Sequence, residues 1–180
     1  MTRNRSAGLS KAGTVAYGGL LLAMGILLPQ VFHLFGGKAA GGMLLPMHIP
    51  VLLSGYLLGP WWGLAIGAAT PAVSALTGMP PLFRLPFMML ELAAYGLCAG
   101  LLGKKLCLPM WLGLPATQAA GRLVYLLSLL VAGNLLHMQK AGAIMAWTAT
   151  VEGLPGIVLQ WFFVPLLVWL AKKRGVTNGN

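Results

Sequence analysis

Residues 85–103 read LPFMMLELAAYGLCAGLLG and are almost entirely apolar. A helix of about 20 apolar residues spans the hydrocarbon core of a bilayer. Glu91 lies inside this stretch, where an ionised side chain costs about 3 kcal/mol or more unless it is paired. The stretch therefore predicts a membrane-spanning helix whose Glu91 faces a polar cavity in a helical bundle, and the bundle holds that cavity.

The composition of the whole chain agrees with a membrane protein. Of its 180 residues, 58% are hydrophobic and 8% are charged, against roughly 25% charged in ordinary soluble proteins. Such a chain cannot cover a water-facing surface, so we expect one integral membrane domain over residues 1–180. The net charge is +10, but the basic residues form no stripe, and no nucleic-acid partner is expected.

The apolar segments predict an all-α bundle of six transmembrane helices. Their expected ranges are 12–35, 43–58, 60–76, 85–104, 109–136 and 153–172. The first segment is too long for the apolar region of a secretory signal, so we expect it to be an uncleaved helix. Residues 36–47 are expected to be a flexible link, of which 43–47 join the second helix if that helix is to span the membrane. Residues 137–147 are expected to be a polar loop that can hold a short helical turn. An even number of spans places both termini on one side of the membrane.

The basic residues predict which side that is. Eight of them lie at the N-terminus, in the connection between helices four and five, and at the C-terminus. The opposite side has only Lys38, Arg84 and Lys140, and Arg122 lies within a helix. Because cytoplasmic loops carry an excess of Lys and Arg, the termini are predicted to be cytoplasmic in a multi-pass protein of the cell membrane.

Arg122 is the second charge expected inside the membrane. Three interpretations of Glu91 and Arg122 remain open: an ion pair with no other role, one or both charges presented to a polar ligand, or a proton relay. Tyr95 lies four residues after Glu91 and Tyr125 three after Arg122, so each tyrosine shares a helix face with a charge. They either line a pocket for a flat polar ligand or only pack.

Further candidates for ligand contact are polar residues near the outer side: Asn134, Glu152, Gln160, His48 and Arg84. Glu152 is expected to start the last helix, where a negative charge is also favoured by the helix dipole. His48 and Arg84 are expected in loops, where solvation is the simpler interpretation. The three histidines are far apart in sequence, so no metal site is predicted.

No catalytic residue is predicted. The chain contains no Asp, and it lacks nucleotide-binding, metalloprotease and nucleophile-elbow motifs. No cofactor is expected, and any active transport would draw its energy from a partner or an ion gradient.

Small residues recur along the first predicted helix at Ala12, Ala16, Gly19 and Ala23. Such spacing lets another helix approach closely. The face serves either packing within the bundle or docking of another subunit.

Four segments resemble the substrate-binding S component of energy-coupling factor (ECF) vitamin transporters: LPMHIPVLLSGY (45–56), GPWWG (59–63), TGMPP (77–81) and MMLELAAYG (88–96). The resemblance implies a six-helix subunit of a prokaryotic plasma membrane that binds a vitamin or precursor from outside. It places Glu91, Tyr95, Arg122, Asn134 and Glu152 in the pocket region. It also implies that Ala12 and Ala16 contact a transmembrane coupling subunit, while two cytoplasmic ATPase subunits hydrolyse ATP.

The resemblance does not select the ligand. Pantothenate, folate, pyridoxine and a corrinoid precursor agree with it, and so do riboflavin, thiamin, biotin and pyrimidine precursors. One acid with one base in the pocket favours a polar or zwitterionic molecule. Two other functions remain open: a self-sufficient secondary carrier with Glu91 as its proton site, and a scaffold in which Glu91 and Arg122 are a structural pair.

Overall fold

The computed structural model describes residues 9–78, 80–135, 137–138 and 142–176, without the side chains of residues 38–40. Arg3, Arg5 and Lys140, which contribute to the predicted charge asymmetry, lie outside the described residues, as does the side chain of Lys38. So do residue 136, at the expected end of the fifth helix, and residues 177–180.

The described residues form seven α-helices and no strand. The helices are α1 (Lys11–Leu44), α2 (His48–Leu58), α3 (Pro60–Ser74), α4 (Leu85–Gly100), α5 (Met110–Asn134), α6 (Ala143–Glu152) and α7 (Leu154–Lys173). A 3₁₀ turn (Ala75–Thr77) extends α3, and a π-helical turn (Leu101–Lys105) extends α4. The predicted all-α class is confirmed.

Five helical segments are long and apolar enough to cross a membrane: Lys11–Gly37, Gly41–Leu58, Leu85–Lys105, Met110–Asn134 and Leu154–Lys173. Helix α3 has 15 residues, fewer than the roughly 17 that a perpendicular span needs. A sixth span over 60–76 therefore stays a prediction, and so does the cytoplasmic position of the termini. Lys104 and Lys172 are close enough for their charges to interact. The α4–α5 connection and the end of α7 therefore lie at the same end of the bundle.

The loop expected over residues 36–47 is wrong for residues 36–44, whereas residues 45–47 lie between α1 and α2 outside both helices. Helix α1 continues to Leu44 and is interrupted only at Gly37, whose φ of 67° and ψ of −171° are not helical. Residues with side chains rarely adopt a positive φ, so glycine permits the change of direction here. The other glycines of the segment tolerate helix, although they favour it less than alanine does.

The loop expected over 137–147 is also wrong in part. Its second half begins α6, which runs through AIMAWTATVE between Gly142 and Gly153. This run contains neither Gly nor Pro, so nothing in it interrupts a helix. Glu152 consequently ends α6 rather than starting the last helix, and Leu154 begins α7.

Helix α2 is the central helix of the bundle. Ten of its eleven residues are buried, and it packs against α1, α3, α4 and α7. A helix that is apolar on every side is typical of a protein core or a membrane span. His48, the first residue of α2, is buried and lies at the base of the cavity described below.

Helices α3 and α4 pack at very short range through glycines. A Cβ atom at Gly96 would overlap the backbone of Gly63, and one at Gly67 would overlap the backbone at Leu92. Small residues allow this close approach, and in a membrane van der Waals packing of this kind holds helices together. The α3–α4 contact fixes Glu91 on α4 relative to the end of α3.

Candidate ligand-binding cavity

A cavity of about 230 Å³ lies at the end of the bundle where the α1–α2 and α3–α4 connections meet. It takes residues from α1 to α6 and from the two connections. The lining comprises Pro29, His33, Gly41, Gly42, Leu45, Pro46, Met47, His48, Ser74, Pro80, Pro81, Arg84, Met88, Glu91, Arg122, Tyr125, Ala149 and Glu152. Ligand sites in helical bundles are commonly built in this way, from side chains of several facing helices.

The ion pair expected between Glu91 and Arg122 is present in this cavity. Arg122 Nη1 lies 2.9 Å from Glu91 Oε1, and the Glu91 side chain is only 4% exposed. Arg122 Nε and Nη2 are buried and make no hydrogen bond. The pair thus neutralises two charges but leaves part of the hydrogen-bonding capacity of the guanidinium unused.

His48 packs between the carboxylate and an aromatic ring. Its Nε2 atom lies 3.8 Å from Glu91 Oε1, which is an ion pair only when the imidazole is protonated. Its ring meets the Tyr95 ring edge to face, with centroids 5.0 Å apart. Neither ring nitrogen of His48 has a hydrogen-bond partner. The expectation that His48 lies in a loop is wrong, because His48 is the first residue of α2. Its ring is held by packing and not by hydrogen bonds.

Two glycines make room for the polar side chains of the site. A Cβ atom at Gly153, between α6 and α7, would stand 2.9 Å from Arg122 Nη2. A Cβ atom at Gly41 would overlap the ring of His33, whose Nδ1 lies 3.1 Å from the carbonyl oxygen of Gly37. The absence of a side chain at Gly153 therefore leaves room for Arg122, and the absence of one at Gly41 leaves room for His33.

Six of the nine candidate ligand-binding residues line the cavity: His48, Arg84, Glu91, Arg122, Tyr125 and Glu152. Tyr95 is fully buried behind His48 and supports its ring. Contact of these residues with a ligand remains a prediction.

Asn134 and Gln160 lie elsewhere. Asn134 borders a separate depression with His137 and Met138. Gln160 is fully buried and accepts a hydrogen bond of 3.0 Å from Gln118 Nε2. Gln118 in turn accepts a 2.6 Å hydrogen bond from the Trp161 indole. Sequence position along a helix does not reveal which neighbour a polar side chain meets. The sequence alone therefore predicts ligand contact for Asn134 and Gln160 as it does for the residues that line the cavity.

The Gln160 network predicts a purely structural effect for Gln160→Leu. Interhelical hydrogen bonds in membranes contribute about 0.6 to 2 kcal/mol, so we expect a loss of about 1 kcal/mol in the free energy of unfolding. Ligand affinity should not change. Thermal unfolding with and without ligand measures both quantities; weaker binding without loss of stability would return Gln160 to the site.

Several residues of the lining have no sequence pattern that predicts their place in the cavity. Ser74 ends α3, and His33 lies in the part of α1 before its break at Gly37. A charged residue inside an apolar segment is the pattern that indicates Glu91 and Arg122. Ser74 and His33 do not show this pattern. A buried hydroxyl without a partner, as at Ser74, can be recognised only in the structure.

The charges of the lining balance. Glu91 and Arg122 cancel at the base, while Glu152 and Arg84 are exposed at the rim. The two histidines add positive charge only when protonated. The arrangement can hold a polar molecule by hydrogen bonds and local charge, and it offers no surplus of either sign to a strongly charged ligand.

Helix α1 has two different faces of small residues. Gly18 and Gly25 are buried, and Cβ atoms there would press on Trp62 and Thr70 of α3. Ala12 and Ala16 are exposed on α1. Internal packing of α1 therefore uses the glycines, while the two alanines are left exposed by the part of the chain that the structure describes.

Comparison with known proteins finds a matching family. The family model described as "ECF transporter, substrate-specific component" matches residues 14–168. No curated protein and no solved structure matches the chain. The matched range contains every residue of the ion-paired cavity.

Proposed function

The chain belongs to the substrate-specific components of ECF transporters, and from this we propose that it binds a water-soluble vitamin or vitamin precursor in the cavity of Glu91 and Arg122. The observation that carries the proposal is the buried ion pair, because Glu91 and Arg122 line a cavity and retain unused hydrogen-bonding groups. A pair that served stability alone would bring no advantage over apolar packing of the same volume.

The proposed ligand enters from outside a prokaryotic plasma membrane. The cavity lies at the connections α1–α2 and α3–α4, and Lys104 and Lys172 mark the opposite end of the bundle. The positive-inside rule supports a cytoplasmic position for that basic end. On this orientation Arg84 and Glu152 lie at the entrance, and His48, Glu91 and Arg122 hold the ligand below them.

The proposed partners are a transmembrane coupling subunit and two cytoplasmic ATPase subunits, which would supply ATP-driven uptake. The exposed position of Ala12 and Ala16 supports α1 as the docking helix, since small residues let a partner helix approach its backbone. In this scheme the chain selects the substrate and the partners perform the hydrolysis.

Retention of radiolabelled vitamins by the purified protein tests the proposed function. We expect one compound to be retained without ATP and without partner subunits. Liposomes that contain only this chain should show no uptake in a pH gradient. Uptake by the chain alone, abolished by Glu91→Gln, would instead establish a proton-coupled carrier.

The docking proposal predicts opposite effects on binding and uptake for Ala16→Trp. A bulky side chain on the exposed face of α1 should leave ligand affinity unchanged, because α1 packs inside the bundle through its other face. Uptake by the assembled transporter should fall at least tenfold. Ala116→Trp, on an exposed position of α5, is the matched control and should retain uptake; loss of ligand binding in Ala16→Trp would assign Ala16 to internal packing.

A further inference from the structure

Ser74 has a side chain whose hydrogen bonding is incomplete. It is the last residue of α3, it is fully buried, and it lines the cavity. Its hydroxyl oxygen has no hydrogen-bond partner. A buried hydroxyl in this state lacks the compensation that water would otherwise give.

The other serines and threonines in the described part of the chain behave differently. Each of them makes a hydrogen bond with nearby backbone: Ser10, Thr14, Ser54, Thr70, Thr77, Thr117, Ser128, Thr148 and Thr150. Helical Ser and Thr ordinarily satisfy their hydroxyl groups on the preceding turn in this way. Ser74 is the exception among them, and it is also the one that lines the cavity.

Two other residues of the cavity lining also have buried polar atoms without hydrogen-bond partners. Both ring nitrogens of His48 are buried without a hydrogen bond, and Glu91 Oε1 has only its ion-pair contacts. The exposed fractions are 3% for His48, 3% for Glu91 and 0% for Ser74. Three elements (the start of α2, the end of α3 and α4) thus contribute polar groups without hydrogen-bond partners to the lining of one cavity.

We infer that Ser74 contacts the ligand together with His48 and Glu91, and that the ligand is a compact, unphosphorylated molecule whose buried end is a hydroxyl or amide group. This inference rests on the proposed function. Serine and imidazole each offer a donor and an acceptor, and a carboxylate accepts. A hydroxyl or amide group both donates and accepts, so it can satisfy all three.

Cavity size and charge restrict the rest of the molecule. A volume of 230 Å³ corresponds to about eight water molecules at roughly 30 Å³ each. One substituted ring or one short chain matches this volume better than a corrinoid or a pteridine with a glutamyl tail. A phosphate ester brings a charge of about −1.5 to −2, and it would meet Glu91 and Glu152 without any surplus of cations.

Thermal unfolding of the purified full chain with a graded set of probes tests the inference. The set contains pyridoxine and pantothenate, their phosphate esters pyridoxine 5′-phosphate and 4′-phosphopantothenate, and the larger folate and cobinamide. We expect pyridoxine or pantothenate to raise the melting temperature and its phosphate ester to bind at least tenfold more weakly. Ser74→Ala should weaken that binding about two- to tenfold, as one hydrogen bond is lost.

Ser54→Ala is the matched control, since Ser54 is equally buried but donates to Val51 within its own helix. It should leave the affinity unchanged. Stabilisation by folate, cobinamide or a phosphate ester, or equal affinity in Ser74→Ala and wild type, would overturn this inference and leave the proposed function standing. Absence of any shift with all six probes would overturn this inference, while the proposed function would be contradicted only if the purified protein retains no vitamin at all.

Discussion

Arg122→Leu should destabilise the protein by about 3–5 kcal/mol, because it leaves the buried Glu91 carboxylate without its 2.9 Å partner. The remaining basic neighbour is His48, whose Nε2 is 3.8 Å away and carries charge only when protonated. Glu91→Gln should cost a similar amount, since it leaves a buried guanidinium uncompensated. Unfolding in mixed micelles with increasing detergent denaturant measures the loss.

The double variant Glu91→Gln with Arg122→Leu separates stability from binding. Removing both members of a buried ion pair leaves no uncompensated charge, so part of the lost stability should return. Ligand binding should be lost, because both charges at the base of the cavity are removed. Arg84→Leu, at the exposed rim, is the control and should change stability little. Additive losses in the double variant would show that the two charges do not form one unit.

Gly96→Ala should be the most damaging of the small substitutions, with a loss of about 3 kcal/mol in the free energy of unfolding. The new Cβ atom would overlap the carbonyl group of Gly63. Backbone cannot rotate away as a side chain can, so α3 and α4 must separate. That movement would also displace Glu91 on α4 relative to Ser74 on α3, and ligand affinity should fall with stability.

Gly19→Ala is the matched control for this prediction. Gly19 lies within α1, and a Cβ atom there meets nothing within 4 Å. The substitution should leave stability unchanged or raise it by up to about 1 kcal/mol through helix propensity. Measured unfolding that gives equal losses for both variants, or none for Gly96→Ala, would contradict the close α3–α4 contact.

Charge in an apolar segment was the strongest signal in the sequence. Glu91 and Arg122 stand out because a buried charge is costly, and cost forces them towards each other or towards a polar space. The same reasoning identified the long apolar helices and the all-α class. It works because the membrane restricts both the length and the composition of a spanning helix.

Other features depended on contacts that no local pattern specifies. Glycine clusters before residue 45 suggested a loop, yet only Gly37 departs from helical geometry. Helix α6 is short, so its ten residues resembled a connection. Gln160 and Ser74 are both buried and polar, but Gln160 found a partner on α5 and Ser74 found none. Partner choice of this kind is set by the packing of distant helices.

The most direct test of the ligand site is calorimetric titration of the vitamin retained by wild type into the double variant Glu91→Gln with Arg122→Leu. Circular dichroism and thermal unfolding must first show that the variant is folded. Binding in the Glu91–Arg122 cavity predicts saturable heat for the wild type and none for the folded double variant. Equal affinity in the two proteins would place the ligand elsewhere and contradict the assignment of this cavity.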